Sequence, residues 1–131
     1  MSKSMIDKHD EIDLEVSHAD QKMINTFGRL NNRKHELLRQ KKFKQEDLEK
    51  ATDAQDDVFL ADDETKFKYM MGEAYIETEK SETEELIEKY MAQLEEDIKK
   101  IDEEIEDIAE VHKELKVHLY AKFKTSINLE E

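Results

Sequence analysis

The chain has 131 residues, of which 43% are charged and 37% hydrophobic, with a formal net charge of −14 at pH 7 and no cysteine. So small an apolar fraction cannot fill the core of a compact globule and favours a thin, elongated core. The lack of cysteine excludes disulfides and thiolate metal sites. The acidic balance argues against nucleic acid as a partner, and we find neither a signal-like N-terminus nor an apolar run long enough to cross a membrane. We therefore expect a soluble, non-secreted protein that binds neither nucleic acid nor membrane.

The first predicted element is a helix over residues 17–61, preceded by a flexible N-terminal segment, residues 1–16. Apolar side chains recur in a seven-residue register, although Lys34, Lys41 and Lys44 share it. The apolar members of the register are Met23, Phe27, Leu30, Leu37, Leu48, Ala51 and Val58. The acidic stretch 56–64 opposes the dipole at the end of this helix, so we expect either an earlier end or lysines that compensate the charge.

The second predicted element is a β-hairpin over residues 66–79, centred on Gly72 and Glu73. In such a two-residue turn the glycine supplies the positive φ that the turn needs. Counting outward gives the pairs Met71–Ala74, Met70–Tyr75, Tyr69–Ile76, Lys68–Glu77, Phe67–Thr78 and Lys66–Glu79. A lone two-stranded hairpin is marginal in water, and the sequence has no other strand candidate, so we expect this hairpin to join strands from other subunits.

The third predicted element is a helix over residues 81–123, in which Ser81 and Glu84 match a capping box. Its apolar residues step by four and three, as in a coiled coil: Ile87, Met91, Leu94, Ile98, Ile101, Ile105 and Ile108. Residues 22–50 carry nine basic and four acidic residues, and residues 81–110 carry three and thirteen. We therefore expect the two helices to pack antiparallel, and extending the hairpin register into them places Lys44 beside Ile101.

Signals for catalysis, cofactors or metals are lacking in the sequence. The five histidines have no metal-ligand spacing, and there is no phosphate-binding loop or nucleophile motif, so we predict neither an enzyme nor a metal or cofactor site. Apolar residues instead gather at the two outer helix ends, which the antiparallel register brings together: Met23, Ile24, Phe27, Leu119, Tyr120, Phe123, Ile127 and Leu129. They form an adaptable apolar tip, or, for Met23, Phe27, Leu119 and Phe123, simply complete the packing between the helices.

Three segments of the sequence resemble prefoldin, in its beta class of subunits. They are "DQKMINTF" at 20–27, "DAQDDVFLADDE" with "YMMGEAYI" within 53–76, and "VHLYAKFKTSINLEE" at 117–131. The resemblance implies a prefoldin beta-type domain over 17–123 with a C-terminal tail at 124–131. It also implies a mainly α fold, a long antiparallel two-helix coiled coil whose central β-hairpin oligomerises into a shared β-barrel platform.

The function implied by the resemblance is that of an ATP-independent, cytoplasmic co-chaperone. Two alpha-class and four beta-class subunits form a hetero-hexamer, which holds unfolded actin and tubulin at the coiled-coil tips and delivers them to the cytosolic chaperonin. The platform residues would be Phe67, Tyr69, Met71, Gly72, Ala74 and Ile76, and the client-binding residues would be those of the apolar tip. The alternative is a structural coiled-coil tether or scaffold that binds no client.

Overall fold

The structure is a computed structural model and describes residues 17–123. It consists of α1 (His18–Leu60), β1 (Lys66–Met71), β2 (Ala74–Glu79) and α2 (Lys80–Phe123). The predicted fold class, two long helices with a central antiparallel hairpin, is confirmed. The expected flexible segment 1–16 and the tail 124–131, with Ile127 and Leu129, lie outside the described residues.

The described residues form two compact units. The helix-end unit contains residues 17–37 and 103–123, and the hairpin unit contains residues 38–102. Each of the two helices contributes one part to each unit.

Helix α1 begins after a capping residue, Ser17. The Ser17 hydroxyl accepts a hydrogen bond from the Asp20 backbone N–H at 3.0 Å, and Asp20 in return accepts one from the Ser17 backbone N–H at 3.3 Å. This reciprocal arrangement satisfies backbone donors that the first turn leaves unpaired. Helix α2 differs from the expectation, because it begins at Lys80 directly after β2, so that Ser81 lies inside the first turn instead of preceding it.

Helix α1 ends at Leu60, within the acidic stretch, and has no basic residue in its last turn, but Lys80 of α2 lies at this end. The Lys80 ammonium donates to the carbonyl oxygens of Phe59 at 3.1 Å and Ala61 at 2.7 Å. It also lies 3.5 Å from the Asp63 carboxylate. A cation at a helix C-terminus interacts favourably with the dipole and supplies donors to unpaired carbonyls.

Heptad positions supply the cores of both units. In the hairpin unit the buried apolar side chains are Ala51, Val58, Ile87, Leu94 and Ile101. In the helix-end unit they are Phe27, Leu37, Ile108, Leu119 and Phe123. Lysines that share the register reach carboxylates of α2, since Lys41 lies 2.6 Å from Asp102 and Lys44 lies 3.2 Å from Asp97.

The hairpin register is confirmed pair by pair, from Met71–Ala74 at the turn to Lys66–Glu79 at the base. Gly72 has φ of 62°, the left-handed value that the turn requires. Thus the glycine sets the turn, and the alternation of the strands follows from it.

The helices do not keep the hairpin register. The extended hairpin register would place Phe27 beside His118, but Phe27 contacts His112, and Lys44 contacts Asp97, four residues before Ile101. The reason is an asymmetry at the base of the hairpin: residues 61–65 separate α1 from β1, whereas β2 continues into α2 without a linker. Five extra residues on one side shift the helical pairing by roughly one turn.

Candidate functional site

One hairpin face is directed toward the helices of its own unit. Phe67 and Tyr69 on this face are half-buried. They line a groove of about 780 Å³ together with Val58 of α1 and Ile87 of α2. Two of the predicted platform residues are therefore partly covered by their own chain.

The other predicted platform residues are more accessible. Met71 is 53% exposed and Ile76 is 38% exposed, while Gly72 and Ala74 are exposed at the turn. They form the outer end of the same face. The structure thus divides the predicted set into an inner part beside the helices and an outer part near the turn.

The opposite hairpin face carries an apolar pair that sequence reasoning did not select. Met70 and Tyr75 are paired directly across the two strands and are 53% and 63% exposed. The remaining pairs on this face are charged, Lys68–Glu77 and Lys66–Glu79. An isolated apolar pair among charged pairs was the available signal, because exposed apolar groups on an unpaired sheet indicate a contact surface.

The helix-end unit contains a compact apolar cluster. Phe27, Leu119 and Phe123 are at most 3% exposed, and Met23, Ile24 and Leu115 pack against them. Three of the predicted client-binding residues therefore fill the space between the helices. Of the predicted set within the described residues, the most exposed is Tyr120, at 39%, while Met23 and Ile24 are half-buried.

A polar contact joins the two helices of the same unit beside this cluster. The Lys122 ammonium of α2 contacts the Asp20 carboxylate of α1. Hydrogen bonds from Lys122 and from Ser17 lower the pKa of Asp20 below its ordinary value. The first turn of α1 and the last turn of α2 are thereby held together.

His112 is part of the packing between the helices. It is fully buried, its ring stacks on Phe27 with centroids 4.1 Å apart, and its Nε2 lies 3.3 Å from the Phe27 carbonyl oxygen. Within residues 17–123 no three His, Asp or Glu side chains are grouped so that they could hold a metal ion. Neither described helix is long and apolar enough to cross a membrane.

Val117 is an exposed apolar residue that the sequence analysis did not include in the tip. It is 67% exposed and lies three residues before Tyr120, so the two side chains are neighbours on the surface of α2. Its position between Leu115 and Leu119, off the heptad register, was the signal that could have found it. Val117 and Tyr120, named here the outer tip pair, are the accessible apolar surface of α2 near its end.

The geometry is that of a two-helix protein with a central hairpin, a class that includes chaperone subunits. The family model described as prefoldin subunit matches residues 21–126. The chain therefore belongs to the prefoldin subunit family, and the resemblance seen in its segments is confirmed. Membership of this family implies a co-chaperone subunit.

Its relatives include prefoldin subunit 4 of several organisms. The chain is 72% identical over 132 residues to a protein named probable prefoldin subunit 4 of Dictyostelium discoideum, with 100% of both chains covered. It is 39% identical over 119 residues to prefoldin subunit 4 of Homo sapiens, covering 90% of this chain and 89% of the human protein.

A solved structure supports the fold. The prefoldin beta subunit from Thermococcus strain KS-1 superposes with a TM-score of 0.71, covering 84% of this chain and 96% of the other. The two sequences are 17% identical, so this likeness bears on the fold alone.

Proposed function

We propose that this chain is a cytoplasmic subunit of a hetero-hexameric co-chaperone that holds unfolded client proteins and delivers them to the cytosolic chaperonin without ATP. The clients are unfolded chains such as actin and tubulin, and the partners are alpha-class and beta-class prefoldin subunits. Family membership over residues 21–126 carries this proposal.

The hairpin is the proposed assembly element. A two-stranded sheet has two open edges, and this one also exposes Met70, Met71 and Tyr75 by more than half. Unpaired strand edges beside exposed apolar side chains favour pairing with strands of neighbouring subunits. Phe67 and Tyr69 contribute by supporting the hairpin from its inner face, and Gly72, Ala74 and Ile76 contribute near the turn.

The outer tip pair is the proposed client contact of this subunit. Apolar contact is non-directional, so a few accessible side chains bind many unfolded sequences weakly. Several such surfaces on one complex raise the overall affinity through multivalency. Met23 and Ile24 extend this surface, whereas Phe27, Leu119 and Phe123 maintain it from within, and Ile127 and Leu129 in the tail are proposed to add to it.

The test is suppression of aggregation by the assembled complex. Changing Val117 and Tyr120 to serine removes exposed apolar area without touching the buried cluster. We expect the complex to assemble as before but to lose much of its ability to keep a denatured client from scattering light, with or without ATP.

The matched control changes Leu38 and Phe43 to serine. These side chains are 42% and 57% exposed and belong to the hairpin unit, so an equivalent amount of apolar surface is lost elsewhere. The control complex is expected to protect the client as the parent does. Equal protection by the Val117 and Tyr120 variant would refute the tip assignment and favour the scaffold alternative.

A further inference from the structure

The junction between β2 and α2 has no linker. Strand β2 ends at Glu79 and α2 begins at Lys80, whereas residues 61–65 separate α1 from β1. Because consecutive residues belong to the strand and the helix, the direction of the hairpin depends on a few backbone dihedrals at this point. Side chains that hold this junction therefore determine where the hairpin points within its unit.

Two buried threonines connect the strand to the helix across this junction. Thr78 of β2 and Thr83 of α2 are 2% and 3% exposed, and their hydroxyl oxygens are 2.6 Å apart. The Thr83 hydroxyl donates to the Glu79 carbonyl at 2.8 Å, so its oxygen accepts the proton of Thr78. The Phe67 carbonyl of β1, 3.4 Å from the Thr78 hydroxyl, is a second and more distant acceptor for the same Thr78 proton.

Lys80 connects the same junction to α1. Its side chain is 17% exposed, and its ammonium donates to the carbonyls of Phe59 and Ala61 at the end of α1. The first residue of α2 is thus hydrogen-bonded to the last turn of the other helix. The base of the hairpin is held from both sides.

We propose that Thr78 and Thr83 are positioning residues that fix the direction of the hairpin and so present its Met70–Tyr75 face to neighbouring subunits, while Lys80 holds the start of α2 against the end of α1. The physical reason is that hydrogen bonds restrict angles, whereas the apolar contacts around them do not. Replacing both members of a buried hydrogen-bonded pair by apolar groups of the same shape changes stability little. Such a replacement removes the directional hydrogen bonds and leaves the buried apolar area unchanged.

Two double variants with opposite changes distinguish an effect on the direction of the hairpin from an effect on the stability of the fold. Thr78→Val with Thr83→Val keeps side-chain volume and removes both hydroxyls. Thr78→Ser with Thr83→Ser keeps both hydroxyls and removes the methyl groups. If the pair served stability alone, the serine variant would be the more impaired, because it loses buried apolar area.

The first measurement is a distance distribution in the full chain. Since the sequence contains no cysteine, Glu73→Cys at the turn and Gln45→Cys on α1 provide unique spin-label sites, both exposed and both in the hairpin unit. We expect a narrow distribution for the parent and the serine variant and one at least about twice as wide for the valine variant, since the directional bonds are lost. A valine variant as narrow as the parent, or a parent that is itself broad, would overturn the proposal.

The second measurement is assembly with co-expressed partner subunits, and this part rests on the proposed function. We expect the valine variant to assemble about tenfold more weakly, the effect of roughly one directed hydrogen bond, and the serine variant to assemble like the parent. Normal assembly of the valine variant would overturn the positioning role. If a variant with both Met70→Glu and Tyr75→Glu still assembles, the hairpin is not the assembly element and the proposed function fails on this point. The distance measurement in the isolated chain would still test whether the threonines fix the hairpin's direction.

Discussion

Two glycines of this chain have opposite conformational roles. Gly72 has a φ of 62° in the turn, whereas Gly28 lies inside α1, and beyond the local backbone a methyl group at either position would meet no atom within 4 Å. Steric crowding from neighbours therefore plays no part in either substitution. Only the backbone conformation distinguishes them.

This difference predicts substitutions of opposite sign. Gly72→Ala forces a left-handed conformation on a residue with a Cβ and should lower the free energy of unfolding by about 1 kcal/mol. Gly28→Ala should raise it by about 1 kcal/mol, because alanine has the higher helix propensity. Urea unfolding of both variants checks this, and effects of the same sign would contradict it.

Asp20 gives the helix-end unit a dependence on pH. Hydrogen bonds from Lys122, and next from Ser17, lower its pKa in the folded chain. A lowered pKa means that the carboxylate stabilises the fold above the unfolded value of about 3.9, and that this contribution disappears as the pH falls through the folded value. Neutral and acid conditions should therefore reveal different effects of the same substitution.

We expect Asp20→Asn to lower the free energy of unfolding at pH 7 and to differ less and less from the parent as the pH falls below the unfolded pKa of about 3.9 and through the lower folded pKa. Urea unfolding across this range is the measurement. Lys122→Met removes the largest cause of the lowered Asp20 pKa. Its difference in unfolding free energy from the parent should therefore also be largest at pH 7 and shrink in acid. A difference between Asp20→Asn and the parent that stays constant with pH would show that the charge of Asp20 is not responsible.

At the scale of elements, the opposite charges of the two helices form specific ion pairs within the hairpin unit. Lys41 reaches Asp102, and Lys44 reaches Asp97, whose pKa is lowered first by a hydrogen bond from Gln93 and then by Lys44. Such partly exposed pairs contribute little individually, but several of them set orientation and register.

Reversing Lys41 and Lys44 to glutamate should lower the melting temperature at low salt, with partial recovery at high salt as repulsion is screened. Circular dichroism follows the transition. Lys42→Glu is the control on an exposed position of the same helix turn, and it should change the melting temperature less than either paired position. Equal effects at all three lysines would attribute the change to net charge instead of to these contacts.

The hairpin could be predicted in detail, and the helical register could not. The turn at Gly72 fixes the register of every hairpin pair, and a slip of one residue would move the charged pairs to the other face. The predicted bounds already left more residues between helix 17–61 and the hairpin than between the hairpin and helix 81–123, but counting one register straight through took no account of this asymmetry. How the chain accommodates the asymmetry depends on hydrogen bonds such as those of Lys80, which sequence patterns do not reveal.

The sequence predicted in which regions the candidate sites lie better than it predicted which of their residues are exposed. Phe27, Leu119 and Phe123 lie together in the structure, as the antiparallel arrangement predicts, yet Phe27 and Phe123 are buried while Val117 is exposed. Alternation likewise separates the two hairpin faces without showing which of them turns toward the helices. Both distinctions depend on tertiary packing, which decides the exposure of residues with the same sequence pattern.

At the scale of the whole molecule, the two proposed activities belong to different units. The hairpin unit carries Met70 and Tyr75 for assembly, and the helix-end unit carries Val117 and Tyr120 for client contact. Neither surface is large, which suits a subunit that acts only as one member of a complex. Under the proposed function, a weak client contact on each subunit becomes useful when several subunits bind the same client.

The most direct test of this account is photo-crosslinking from the proposed client contact. A photoreactive label on Val117→Cys in the assembled complex should capture a denatured client, whereas the same label on Glu96→Cys, an exposed position of the hairpin unit, should not. The absence of other cysteines makes both labels unique. Strong capture at position 117 with little at position 96 is the predicted result; equal capture at both, or none at 117, would contradict a client-holding tip in this subunit.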